Sequence, residues 1–284
     1  MSGSGPPYGG WGERFERFIY KGGWPARVAA RLGYHPRVRV MTHRVKVPTG
    51  GRERRSIRLA YASDFHAGPT TNPEVLRSAA ETMAAARPDL LLLGGDFVCA
   101  DPAAIHALAP QLGRIPAPLG RFAVLGNHDW WTDPGLIAAE LERSGVRLLT
   151  NTNVRLPPPF DDIVLCGLDD PWAGTPDGRA AFAGADGTRL VLMHEPSGLL
   201  DIGDEPFALA VCGHTHGGQI ALPGGFPLVV PHGPLSRRYS RGRFTVAGGG
   251  VLLVSVGVGC STLPFRLFAD PEVLVCEVEL VPRG

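Results

Sequence analysis

An α/β fold built on two mixed sheets is what this sequence predicts, and three observations carry the prediction. Over residues 57–125 short apolar runs alternate with stretches of helical periodicity, the pattern of βαβ units. From residue 146 onward the apolar runs follow one another with short connections and few helices, which asks for a second sheet. Several runs, such as 89–94 (DLLLLG), are apolar at consecutive positions, as strands covered on both faces are.

Taken in order, residues 1–10 are rich in Gly, Ser and Pro and are expected to be disordered. Residues 11–32 turn helical. Trp11, Phe15, Phe18 and Ile19 fall on one face, with Glu13, Arg14, Glu16 and Arg17 opposite. Gly22-Gly23 breaks the pattern, and Pro25 opens a second short helix expected to turn Val28, Ala29 and Leu32 inward. Between Met1 and Val47 nine basic residues stand against two acids, although the whole chain carries a net charge of only +1. This cationic amphipathic arm, residues 1–47, suits either an anionic membrane surface or packing against the body of the protein, residues 48–284.

Val38, Val40, Val45 and Val47 mark a strand or hairpin, with residues 48–51 as its turn. The strand at 57–63 delivers Asp64 and His66. Asn72-Pro73 starts a helix, a capping side chain followed by proline in the first turn, with Val75, Leu76, Ala79, Ala80 and Met83 as its buried face. The strand at 89–94 ends at Asp96, a helix follows around 103–112, and a strand at 122–125 runs into the turn Gly126-Asn127-His128-Asp129. Further strands are expected at 146–149, 154–156, 163–168, 189–194, 207–212, 251–256 and 273–280. The Pro- and Gly-rich stretch from 223 to 250 is the longest irregular piece and follows a His-x-His turn, where it can shape a substrate rim.

Composition excludes several classes. The near-zero net charge gives no reason to expect nucleic acid. Five scattered cysteines without CxxC spacing argue against a disulfide framework and a structural zinc site, and for a reducing compartment. No run approaches the roughly 20 apolar residues of a membrane span. The expected location is cytoplasmic, with the arm on the inner face of the membrane.

The chemistry lies where the runs stop. Asp64-x-His66, Asp96, Asn127-His128, His194 and His214-x-His216 each follow an apolar run and precede a turn. One Asp or His at a strand end is ordinarily a cap; seven in this arrangement, His128 set aside, are a ligand set. Carboxylate, amide oxygen and imidazole together suit Mn²⁺, Fe²⁺ or Zn²⁺. His35, His43, His106 and His232 fall outside the blocks and read as ordinary histidines. Asp169-Asp170 reads as turn chemistry, and Trp130-Trp131 suits either core packing or an apolar wall beside the site.

These five blocks, in order and covering nearly everything from Arg58 onward, resemble the calcineurin-like metallophosphoesterases. The run His214-Thr-His-Gly-Gly-Gln-Ile220, with Gly259-Cys-Ser-Thr-Leu-Pro-Phe-Arg266 after it, is similar to the membrane-associated branch called YaeI/YkuE-like. The resemblance implies a four-layer α/β/β/α sandwich and two divalent ions, Mn, Fe or Zn. Asp64, His66 and His216 would hold one ion, Asn127, His194 and His214 the other, and Asp96 would bridge them. It further implies hydrolysis of a phosphate ester by a hydroxide shared between the ions, with His128 protonating the leaving oxygen. Some related enzymes act on UDP-diacylglucosamine, an analogy for the substrate. Arg266 is a candidate phosphate contact or, equally, a structural ion-pair partner. Many relatives carry an acid three residues after the bridging aspartate to orient the histidine matching His128. Here that position is Cys99, leaving Asp101, Asp129 or the backbone to serve.

Overall fold

The computed structural model describes residues 18–31, 37–51 and 53–282. The first sheet takes β1 (Arg39–Thr49), β2 (Arg55–Ala62), β3 (Leu90–Leu93), β4 (Arg121–Ala123) and β5 (Arg147–Leu148). The second takes β6 (Thr152–Arg155), β7 (Ile163–Gly167), β8 (Thr188–Leu192) and β9 (Leu209–Cys212). A small ribbon of β10 (Ala221–Leu222) and β11 (Phe226–Pro227) follows. Then β12 (Gly242–Thr245) and β13 (Val251–Val254) join the second sheet, and β14 (Glu272–Pro282) returns to the first. The orders are β1-β14-β2-β3-β4-β5 and β12-β13-β9-β8-β7-β6. Within them β2, β3, β4 and β5 are mutually parallel, as are β7, β8, β9 and β13.

Alternation along the strands explains why the apolar runs are unbroken. Ile57, Leu59, Tyr61, Leu90 and Leu92 of the first sheet meet Leu165, Leu190, Leu192, Leu209 and Val211 of the second in one core. Ala60, Ala62, Leu91 and Leu93 point the other way, under the helices Pro73–Ala85, Ile105–Gly113 and Pro134–Arg143. Val191, Ala210 and Cys212 form a third layer with Phe182 and Ile202 of the short helices Gly178–Phe182 and Gly198–Ile202. The central strands β3, β7, β8 and β9 are thus apolar on both faces, and each fully buried leucine contributes about 1.5–3 kcal/mol. The sandwich has four layers, α/β/β/α.

Local chemistry sets the helix starts. The Asn72 side chain accepts from the Glu74 amide at 3.0 Å, with Pro73 in the first turn, and the buried face is the expected one. The helix Pro134–Arg143 was absent from the sequence expectation although Asp133-Pro134 repeats the same signal; Asp133 accepts from the Leu136 amide at 2.9 Å. Residues 127–131 form a short helix rather than a turn.

Three expectations change near the N-terminus. Residues 38–51 do not close a hairpin, because β14 inserts between β1 and β2. β1 also spans the expected boundary between 47 and 48, so the body of the protein begins at least as early as Arg39. In the helix Trp24–Arg31, Ala26 is buried while Val28 is 42% exposed, and the side chain of Ala29 lies outside the described residues. The readings on residues 1–17 and on Leu32 lie outside the described residues. No described helix is long and apolar enough to cross a membrane.

Candidate metal centre

Five parallel strands, β2, β3 and β4 of one sheet and β8 and β9 of the other, end on the same side of the sandwich core. The turns after them carry Asp64 and His66, Asp96, Asn127, His194, and His214 with His216. Carboxyl ends of parallel strands are where open sheets place ligands, since the chain must turn there. The turns are tight. Asp64, His66, Asp96, His214 and His216 all adopt positive φ, between 43° and 67°. Such backbone costs roughly 1–3 kcal/mol per residue and persists where surrounding contacts impose it. Here a ladder does so: the Asp64 amide donates to the Gly95 carbonyl and the His66 amide to that of Asp96, both at 2.9 Å. Two motif glycines are required by close approach. A Cβ at Gly126 would run into Asp96 and His194, and one at Gly213 into Ser63 and Asp64.

All seven predicted ligand residues are buried and brought together. Potential ligand atoms of Asp64, His66 and His216 lie within 4.8 Å of one another, and so do those of Asp96, His194 and His214. Asn127 joins the second group, its Oδ1 3.1 Å from His194 Nε2. Asp96 stands between them: its Oδ2 is 3.5 Å from His66 Nε2 and 3.5 Å from His194 Nε2.

The residues fit divalent cations on two counts. His194 Nδ1 lies 2.7 Å from the Gly94 carbonyl, and His214 Nε2 lies 2.9 Å from the His232 carbonyl. A carbonyl only accepts, so these nitrogens carry the protons, leaving His194 Nε2 and His214 Nδ1 with lone pairs 3.2 Å apart. Two facing lone pairs call for a cation between them. The electrostatics agree. Burial opposes charge on His194, yet Asp96, Asp170 and Asp64 outweigh it and raise its pKa well above the ordinary value, so the carboxylates favour positive charge at His194 Nε2, carried by a proton or by a cation. Burial holds His66 and His216 well below theirs and brings His214 to about 3, so these rings are neutral, the form that can take a metal.

His128 is at the edge of this cage, its amide donating to Asp96 Oδ1 at 2.8 Å and its ring 4.7 Å from that of His66. Neither Asp101 nor Asp129 orients it. Asp129 is occupied with the Phe97, Val98 and Gly126 amides at 2.8, 3.3 and 3.0 Å, tying the two turns together. Asp101 caps the turn at Ala103. Cys99 is the neighbour: its sulfur and ring nitrogens of His66 and His128 lie within 4.8 Å of one another.

Arg266, a candidate for either a phosphate contact or a structural ion pair, is buried. It donates to the carbonyls of Gly259, Val256 and Ala269, and its Nη2 faces His216 Nδ1 at 3.1 Å. It braces the loop and a ligand ring.

A cavity of about 560 Å³ opens over Asp96, Asn127, His128, His214 and His216. Trp131 and Trp172 line it, their rings 4.8 Å apart, so Trp131 is wall rather than core. Asp170 Oδ1 accepts the Trp172 and Ala173 amides at 3.0 and 2.6 Å, as a turn residue does, and Asp170 also lies near enough to His194 to raise its pKa. Three residues escaped sequence reasoning. His232 lines the cavity and supplies the carbonyl behind His214. Glu195 is buried with Oε2 3.2 Å from His214 Nε2, and burial pushes its pKa up to about 8. Gln219 donates to the carbonyls of Ser261, Leu263 and Phe265 at 3.0, 2.9 and 3.2 Å, clamping that loop to the His-x-His turn. An acid directly after a ligand histidine was a readable signal; the other two needed the loop geometry.

A cage of this kind at the strand ends of such a sandwich is that of a metal-dependent phosphoester hydrolase. The profile of the calcineurin-like phosphoesterases matches residues 57–218, and the chain belongs to that family. It is 30% identical over 224 residues to the metallophosphoesterase YkuE of Bacillus subtilis (strain 168), covering 77% of each chain. With the phosphodiesterase YaeI of Escherichia coli (strain K12) it shares 33% identity over 227 residues, 78% of this chain and 82% of that one. Among solved structures, a dimetal phosphatase from Danio rerio aligns with a TM-score of 0.48 at 12% identity, over 71% of this chain and 88% of the other.

Proposed function

We propose that the chain is a binuclear metal-dependent phosphodiesterase or pyrophosphate hydrolase acting on a lipid- or nucleotide-linked substrate. The observation that carries the reading is the single carboxylate Asp96, with Oδ2 3.5 Å from a histidine of each ligand group. Asp64, His66 and His216 would hold one ion and Asn127, His194 and His214 the other, with Asp96 placed to serve both. Two Mn, Fe or Zn ions supply Lewis acidity and an activated water when bound. Every other task falls to side chains of this protein.

The carbonyls of Gly94 and His232 keep His194 and His214 in the ligating tautomer. Asp129 locks the turn that carries His128 to the turn that carries Asp96, so the acid and the cage keep their distance. His128, beside the cavity, donates a proton to the leaving oxygen. Trp131 and Trp172 exclude water there and offer a stacking surface to the leaving group. Similarity to a phosphodiesterase at 33% identity supports diester over monoester cleavage. The basic start of the chain supports a substrate presented at an anionic membrane, of the UDP-diacylglucosamine type by analogy.

A phosphomonoesterase or protein phosphatase is the competing reading. Turnover of a bis-aryl phosphate against the mono-aryl ester, with Mn²⁺, decides between them. Faster diester cleavage is expected, and faster monoester cleavage would reverse the assignment.

A further inference from the structure

Fifteen large hydrophobic residues are exposed among the described residues, and only Val40, Met41 and Leu200 are away from the cavity mouth and the N-terminal helix. Four belong to the ribbon beside the mouth: Leu222, Phe226, Leu228 and Val229, 46–70% exposed. Four more, Leu263, Phe265, Leu267 and Phe268, 40–51% exposed, belong to the loop clamped by Gln219. Ribbon and loop are one surface. Ile220 pairs with Leu267, and the Ala221 amide donates to the Leu267 carbonyl at 2.8 Å. Val229, Ile220 and Leu263 also line the cavity, so the surface is continuous with the site. On its far side the helix Trp24–Arg31 seats Ala26 beside Pro264 and Phe265, leaving Trp24 48% and Val28 42% exposed.

Charge selects the occupant. Residues 220–242 carry Arg237, Arg238 and Arg241 and no acid, and the Arg241 guanidinium lies beside Gly225 of the ribbon. Residues 259–269 contain no acid, and residues 18–31 carry Lys21, Arg27 and Arg31 with none. The rest of the chain is where the 27 acids are. A protein partner of ordinary composition gives no reason for so complete a separation. Exposed aromatic and aliphatic side chains mixed with cations alone match an anionic lipid surface, where rings enter the headgroup boundary and basic groups meet phosphates.

We propose that the ribbon at 220–229, the loop at 262–268 and the helix before β1 form a docking face for an anionic bilayer, turning the cavity mouth toward the headgroups. This docking does not depend on which phosphate bond is cleaved, and it assigns to the body of the protein a membrane contact beyond the N-terminal arm.

Sedimentation of the full chain with vesicles of phosphatidylcholine, with and without phosphatidylglycerol, tests it. The wild type is expected to partition onto the anionic vesicles. The double variant Phe226→Asp/Phe268→Asp is expected to lose about tenfold in partition or more, whereas Leu200→Asp keeps it. Neither phenylalanine lines the cavity, so hydrolysis of a small soluble ester should be unchanged in the double variant and reports that it is folded. Wild type left in the supernatant, or a double variant that binds as the wild type does, overturns the proposal. So does a wild-type oligomer that the double variant dissolves in light scattering, since the face then belongs to a second copy.

Discussion

His194 and His214 each give their outer nitrogen to a main-chain carbonyl, whereas His66 and His216 do not. His66 Nδ1 has no hydrogen-bond partner among the described residues, and His216 Nδ1 faces the guanidinium of Arg266, a group that only donates. One half of the centre therefore holds its rings in the ligating tautomer beforehand. In the other half Arg266 favours the tautomer with the proton on Nε2, the nitrogen that faces His66 at 3.0 Å. The same residue types are thus organised to different degrees, and outer hydrogen bonds rather than ligand identity make the difference.

The largest effect should come from the one residue both halves share. Asp96→Asn is expected to reduce ester hydrolysis to background and to lower bound metal in both groups, because the carboxylate Oδ2 contacts a histidine of each. His128→Ala is its counterpart, with full metal content and a kcat lowered by about 10²–10⁴-fold, the worth of general-acid help. Metal analysis alongside kcat separates the two. A full complement of ions in Asp96→Asn, or metal loss in His128→Ala, would show that the division between cage and acid is drawn wrongly.

Most of the cage was legible because its residues end apolar strands. The runs that stop at Asp64, Asp96, Asn127 and His194 are apolar at consecutive positions, since each strand is covered on both faces, and a polar side chain is conspicuous where such a run stops. The supports were not legible for the converse reason. His232 acts through its carbonyl, which every residue has, and its position is set by the Pro- and Gly-rich stretch in which β12 also went unseen. The charge of Arg266 suggests a phosphate contact and an ion pair equally, while its burial depends on the loop folding back over it. Asp133-Pro134 announced a helix in the same terms as Asn72-Pro73 and was passed over. In the helix Trp24–Arg31, Ala26 is buried beside the distant loop at 264–265, a neighbour that periodicity within the helix cannot supply.

Metal titration sharpens the comparison of the two halves. Calorimetric addition of Mn²⁺ to metal-free protein is expected to show two steps differing about 10–100-fold in affinity, the range that outer hydrogen bonds to ligand histidines command. His214→Ala should abolish the tighter step and His66→Ala the weaker. Two equal steps would mean that the carbonyls behind His194 and His214 do not govern affinity.

The smallest effect concerns Cys99, the residue that stands where many relatives have an acid. Its sulfur lies among the ring nitrogens of His66 and His128, next to the half of the centre with the weaker supports. A buried thiol is a weak hydrogen-bonding group, so it steadies the His128 ring less firmly than a carboxylate would. Cys99→Ala is therefore expected to lower kcat by roughly two- to tenfold, the worth of one modest hydrogen bond, with KM and metal content unchanged. Cys99→Ser should recover part of the loss, because a hydroxyl can hold the ring where a methyl cannot. A kcat in Cys99→Ala equal to that of the wild type would reduce the thiol to packing and leave the orientation of His128 to its amide bond with Asp96 and its ring contacts with His66 and Trp131.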